Sequence, residues 1–185
     1  SDQTIPGITT SPESPSVFAE LVTDQGRKPL ALNEPVTASD QPQEILLGGM
    51  HRVVMNRNTK ATFSVEPQRT EGRYTGQSPY EIQLAQGELY VEVVPGNPFT
   101  VKTANARLDI TGTKFDVVAN GDKTELTLLK GSVRFSALDH PQKPVSVTAG
   151  HASTITGRQD PSTPAPVDAL ATTAWARDLA LSNAI

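Results

Sequence analysis

The strongest constraint on this chain is a recurrence of short alternating apolar runs, each broken by glycine: EILLGGMHRVV, IQLAQGELYVEV, LDITGTKFDV, LTLLKGSVRF and VSVTAGHASTI. Alternation at every second residue is the pattern of a strand with one buried face, not of an amphipathic helix. A glycine inside such a run marks a bend, a bulge or a close backbone approach. Gly112, Gly131 and Gly150 follow one another at 19-residue intervals, with Gly87 and Gly49 spaced more widely before them. The regular spacing predicts strands that turn the same corner in stacked coils.

From residue 44 onward the strand signal is nearly continuous. Strands are expected at Glu44–Leu47, His51–Asn56, Ala61–Glu66, Tyr80–Leu84, Glu88–Val94, Phe99–Thr103, Arg107–Ile110, Lys114–Ala119, Thr124–Leu129, Ser132–Ser136, Val145–Thr148 and Ala152–Ile155. Asn120-Gly121 predicts a tight hairpin, because both residue types tolerate positive φ. Pro95-Gly96 fits a type II turn. The expected fold is all-β, a solenoid-like or jelly-roll-like stack of many short strands with one short C-terminal helix.

The ends differ in character. Residues 1–15 carry three prolines and read as a flexible arm. SVFAELV at 16–22 reads as a first strand of a β-domain reaching to 156, with either Phe18 and Val22 or Val17, Ala19 and Leu21 inward. Residues 24–43, with three more prolines, read as a loop holding one short edge strand. The stretch 157–166 reads as a Pro-rich linker. Residues 167–185 read as one helix with Asp168 as N-cap and Ala171, Trp175 and Leu179 on one face. That helix either docks on the β-domain or begins a further subdomain.

Composition removes several function classes. A net charge of −4 with Lys and Arg scattered offers no surface for tracking phosphates, so no nucleic-acid partner is expected. With no cysteine there is no disulfide framework, thiolate nucleophile or sulfur-bound zinc. No apolar run approaches the roughly 20 residues that span a bilayer. The opening Ser-Asp-Gln fits either N-terminal processing or a piece of a longer protein.

No chemistry announces itself. His51, His140 and His151 form no ligand spacing and are expected at the surface, and no GxSxG elbow occurs. Glu88, Glu92, Asp109 and Asp116 alternate with apolar residues, which assigns them to a solvated strand face. Glu88 with Glu92, or Asp109 with Asp116, are the two candidate pairs for a glycosidase dyad, but spacing alone does not bring carboxyls to catalytic distance. The expectation is a non-enzyme without catalytic residues, cofactor or metal.

Five elements in order carry a family resemblance. Gly87 precedes the alternating Leu89, Tyr90, Val91 and Val93; Pro98-Phe99 opens PFTVKT; Gly112, Thr113, Phe115 and Val117 form GTxFxV; Gly131, Val133 and Phe135 lie in LLKGSVRF; and Gly150 closes VTAG. With the upstream ILLGGMHRVVMNRNTKATFSV, these residues resemble the FecR family over roughly 44–156, with the motif core at 84–136. The resemblance implies the extracytoplasmic β-domain of a single-pass inner-membrane regulator, lying on the periplasmic side. It implies protein partners: a sigma factor, met by a cytoplasmic segment outside this chain, and in iron-uptake systems a TonB-dependent outer-membrane receptor. A non-regulatory envelope or carbohydrate-binding β-module is the alternative. The motif residues Gly87, Pro98, Phe99, Gly112, Thr113, Phe115, Gly131, Phe135 and Gly150 are expected to be structural. The three phenylalanines would be core aromatics, Gly112 would take a conformation closed to other residues, and the Thr113 hydroxyl would bond to the neighbouring coil.

Overall fold

The computed structural model describes residues 19–65, 69–70, 73–74, 80–96 and 98–184. The arm at 1–15 lies outside them. In chain order the elements are β1 (Ala19–Thr23), β2 (Gly26–Leu30), β3 (Pro35–Ala38), β4 (Gln43–Leu47), β5 (His51–Met55), β6 (Thr59–Val65), the two-residue β7 (Arg69–Thr70) and β8 (Arg73–Tyr74), β9 (Tyr80–Glu92), β10 (Phe99–Lys102), β11 (Ala106–Ile110), β12 (Lys114–Asn120), β13 (Lys123–Lys130), β14 (Ser132–Ala137), β15 (Val145–Thr148), β16 (His151–Thr156), β17 (Ala165–Pro166) and α1 (Ala169–Ala184).

Apart from β7 and β8, which pair only with each other, the strands make two layers that share one strand. Sheet I runs β2-β1-β4-β5-β9-β12-β13-β16-β17, and sheet II runs β3-β6-β9-β10-β11-β14-β15. The 13-residue β9 belongs to both: Tyr80–Gln86 pair in sheet II, and Gly87–Glu92 pair in sheet I. The alternation reads as two strands, Tyr80–Leu84 and Glu88–Val94, and the structure joins them into one through Gly87. Gly87 has φ +102°, and a Cβ there would strike Thr59, so the strand turns its corner where no side chain stands in the way.

The chain returns to sheet II at Pro95-Gly96, where Gly96 has φ +112° as a type II turn requires. This closes one complete coil, and β10 therefore lies parallel to the start of β9 (Phe99 beside Tyr80). Thereafter the winding reverses. Hairpins β10–β11, β12–β13 and β14–β15 fall alternately in sheets II, I and II, joined at Gly112, Gly131 and Gly150. The expected corner stack is present, but successive passes run in opposite directions through it. Beyond the one coil, the arrangement is jelly-roll-like. Gly49 stands apart, in the β4–β5 hairpin turn within sheet I.

The β12–β13 hairpin closes through Gly121-Asp122, with Asn120 paired to Lys123 as the last strand residue. Gly121 has φ +62° while neither Asn120 nor Asp122 is left-handed, which is a type II′ pattern. The dipeptide marked the hairpin, but the turn sits one residue later than Asn120-Gly121 implied. The segment 24–43 supplies two edge strands instead of one. Pro29 and Pro35 lie in β2 and β3, at the margin of either sheet, where a missing N–H costs no ladder bond.

Between the layers lies one core. Phe63, Phe99, Phe115 and Phe135 are fully buried with Ile45, Leu47, Ile82, Leu84, Leu89 and Leu108, each large side chain contributing roughly 1.5–3 kcal/mol. In β1 the inward set is Ala19 and Leu21. Residues 157–166 lie along the sheet margin: Ser153 Oγ donates to the Ser162 carbonyl at 2.6 Å, and Ala165–Pro166 pair with His151–Ala152.

Candidate functional site: the face under the C-terminal helix

Alternation on β5, β9, β12 and β13 points Val54, Tyr90, Asp116 and Leu129 away from the core, onto the outer face of sheet I. Val54, Tyr90 and Asp116 are nevertheless buried, because α1 lies across them. Val54, Tyr90 and Ala176 form a second apolar cluster, flanked by Leu129, Trp175 and Leu179.

Asp168 caps the helix as expected, accepting from the Ala171 N–H at 3.1 Å. The docked stripe differs from the expected one. Ala169, Thr173 and Ala176 are buried, while Ala171 is exposed. Small side chains let the helix backbone approach the sheet, and Trp175 reaches alongside. Its indole N–H donates to Asp116 Oδ1 at 3.0 Å.

Asp116 corrects the sequence reading most sharply. Period-2 logic placed it on the outer face, which is right, but that face is roofed and Asp116 is 1% exposed. Burial, and then the hydrogen-bonding Glu88 carboxyl beside it, push the Asp116 carboxyl far above the usual carboxylate range. Asn56 Nδ2 donates to Glu88 Oε1 at 3.0 Å. The carboxyls brought together are therefore Glu88 and Asp116, a pair that neither candidate dyad contained. Asp109 lies on the outer face of sheet II, ion-paired to Arg107 and Arg134.

Around this pair the polar groups are interlocked. Tyr90 Oη donates to Glu92 Oε2 at 2.7 Å, and burial together with that bond raises the Tyr90 phenol above its ordinary range. Arg52 Nε donates to Glu44 at 2.8 Å, and its guanidinium lies 3.8 Å from Glu92. Arg177 bonds within the helix, to Thr173 Oγ1 and the Leu170 carbonyl.

His51 also departs from expectation. It is fully buried in the core, edge-on to Tyr80 and Phe99 with centroids 5.4 and 5.2 Å away. The Val94 N–H donates to its Nδ1 at 3.0 Å, which fixes the neutral tautomer with the proton on Nε2. Burial lowers its pKa to about 4. One short strand after a turn gave no sign of this, because an inward first strand residue looks like any turn histidine. His140 and His151 remain at the surface margin.

The nine motif residues lie at the corners and in the core, with Pro98 and Phe99 also forming one wall of a groove outside sheet II. Phe99, Phe115 and Phe135 point between the sheets, and Gly112, Gly131 and Gly150 lie at the crossings between them. Thr113 is buried, but its hydroxyl has no hydrogen-bond partner; its methyl group packs toward Gly131 instead of its oxygen reaching a neighbouring strand. Outside sheet II, a groove of about 510 Å³ runs past Glu81, Thr100, Lys102, Arg107 and Thr111, with Lys102 and Glu81 paired at 3.3 Å. Among the described residues no three His, Cys, Asp or Glu are grouped to hold a metal ion, and no helix is long and apolar enough to cross a membrane.

The family described as FecR protein matches residues 34–134, more than half of the chain. The chain belongs to the FecR family. The FecR match takes in the Gly87 corner, the PF and GTxF motifs and Gly131, and it ends just before Phe135. Two crystal structures share this FecR-domain fold, each of a "putative anti-sigma factor" from Parabacteroides distasonis ATCC 8503. Their TM-scores are 0.62 and 0.60, both at 18% identity and covering 77% of this chain. This chain covers 63% and 64% of those chains, just under two thirds of their length. At that identity the likeness is one of fold. No curated protein matches the chain.

Proposed function

We propose that this chain is the extracytoplasmic signal-relay and protein-interaction domain of a FecR-type transmembrane regulator, and that it acts without catalysis. In this reading it works on the periplasmic side of the inner membrane and controls an extracytoplasmic-function sigma factor. A cytoplasmic segment engages the sigma factor, and a TonB-dependent receptor of an iron-uptake system supplies the upstream signal. The observation that carries the reading is the FecR match over residues 34–134; the shared fold with the "putative anti-sigma factor" structures supports it. A two-layer sheet suits relay by contact, since the margins β2, β3 and β15 can accept an added strand.

The test is a sigma-dependent reporter in cells carrying the full-length protein with or without residues 44–156. The deletion leaves the reporter fixed on or fixed off whatever the inducing signal. A reporter that still responds normally sinks the relay reading and favours a non-regulatory envelope or carbohydrate-binding module.

A further inference from the structure

Helix α1 is joined to the sheet by a small apolar patch and, among its described side chains, by one hydrogen bond to a sheet side chain, from Trp175 to Asp116. The acceptor is an acid with a second acid, Glu88, in hydrogen-bonding reach. We propose that α1 is a releasable strap across the outer face of sheet I, latched by Trp175 on Asp116 and closed only while Asp116 and Glu88 share a proton.

The ionisable groups on that face decide whether the latch can stay charged. They include Glu44 on β4, Arg52 on β5, Glu88, Tyr90 and Glu92 on β9, Lys114 on β12, Lys123 paired with Glu125 on β13, and Arg177 on α1. Arg52 is committed to Glu44 and Glu92, and Arg177 is turned into its own helix. No described cation offsets the Asp116–Glu88 pair. Two adjacent carboxylates in a place closed to water repel each other and lose solvation together, so one proton must stay. Loss of that proton leaves two negative charges under the helix. Relief comes from lifting α1, which admits water to Asp116 at the cost of exposing the small patch of Val54, Tyr90 and Ala176 with the flanking Leu129, Trp175 and Leu179, and of uncovering Ala169 and Thr173. The sheets themselves need not open, because their core lies on the other side of β9 and β12.

This makes the C-terminal element a two-state part with a named trigger. Docking or release sets where Ala169–Ala184 lies relative to the sheet. The inference concerns the domain alone and stands whether or not a sigma factor is the partner.

Trp175 is the only tryptophan of the chain, so its emission reads the latch directly. The 185-residue chain is titrated from about pH 6 to about pH 11, following tryptophan emission and far-ultraviolet circular dichroism together. Emission shifts to the red as the strap lifts, while the strand signal persists. Asp116→Asn keeps an acceptor for the indole but cannot ionise, and it abolishes the shift. Glu88→Gln removes the neighbouring charge and moves the midpoint down by about one pH unit or more. Emission that stays constant across the range overturns the proposal. So does a shift coincident with loss of the strand signal, or one that Asp116→Asn retains. Should Asp116→Asn fail to fold, an unmoved midpoint in Glu88→Gln is the overturning result.

Discussion

Gly131 rests on Gly112: a Cβ on Gly131 would lie 2.9 Å from the Gly112 carbonyl oxygen and 2.9 Å from Thr113 Cγ2. Gly112 in turn rests on Pro95, whose Cγ would be 2.8 Å from its own added Cβ. Three passes between the sheets thus stack edge to edge, the Pro95 ring filling the space over Gly112 and the Thr113 methyl the space over Gly131. The 19-residue interval is the length of one hairpin plus its crossing.

Gly112→Val should destabilise the domain by about 2 kcal/mol or more, combining a left-handed backbone with a collision. Gly150 separates the two causes. It has φ +82° like Gly131, but nothing stands within 4 Å of its added Cβ. Gly150→Ala should therefore cost only about 1 kcal/mol of backbone strain, and Gly131→Ala clearly more. Urea midpoints for both variants decide it; equal losses would mean that the corners are not packed.

Thr113→Val should be neutral or stabilising. Its buried hydroxyl has no partner, so the side chain carries a desolvated polar atom that valine lacks at nearly equal shape. A loss of more than about 1 kcal/mol in chemical denaturation would show that the hydroxyl is in fact satisfied.

Gly87→Ala should be among the most damaging glycine changes, since the added Cβ meets Thr59, a side chain that is itself fixed. Thr59 Oγ1 accepts from the Glu88 N–H at 3.0 Å and donates to the Glu88 carbonyl at 3.3 Å. Thermal unfolding of Gly87→Ala alone and combined with Thr59→Gly tests the contact. The pair should recover part of the loss, leaving the strain of φ +102° and the 2.6 Å approach to the Cα of residue 59.

His51 makes the domain acid-sensitive. Its folded pKa of about 4 lies below the ordinary 6.5, so between these values the unfolded chain binds more protons than the folded one. Stability then falls as pH drops from about 6.5 to about 4, by up to about 3 kcal/mol. Asp116 acts in the opposite sense, since its raised pKa favours the fold at lower pH. Comparing wild type with His51→Gln, which keeps an acceptor for the Val94 N–H but cannot charge, isolates the histidine in stability-versus-pH curves. The stability of wild type relative to His51→Gln should rise from about pH 4 toward neutral pH; a constant difference would exclude the titration. His51→Ala should cost about 2–4 kcal/mol at neutral pH, leaving a void beside Tyr80 and Phe99 and an unpaired N–H.

By itself the sequence determined the local geometry. Alternation fixed strands from Gln43 to Thr156, and positive-φ glycines fixed where they bend, because both are consequences of Cβ sterics acting within a few residues. The inward set with Phe99, Phe115 and Phe135 followed from the same period, and Asp168 marked the helix start. What only the tertiary structure decided is which faces meet. Glycine spacing does not say whether a corner continues a coil or reverses into a hairpin, since that depends on which strand is already waiting to pair. Nor does a period of two say whether an outer face is wet. Asp116 and Tyr90 alternate like solvent-facing residues, and they are buried because a helix more than 50 residues downstream of Asp116 lies over them. Burial is a sum over contacts from distant parts of the chain, and so the Glu88–Asp116–Trp175 cluster exists only once the chain has folded.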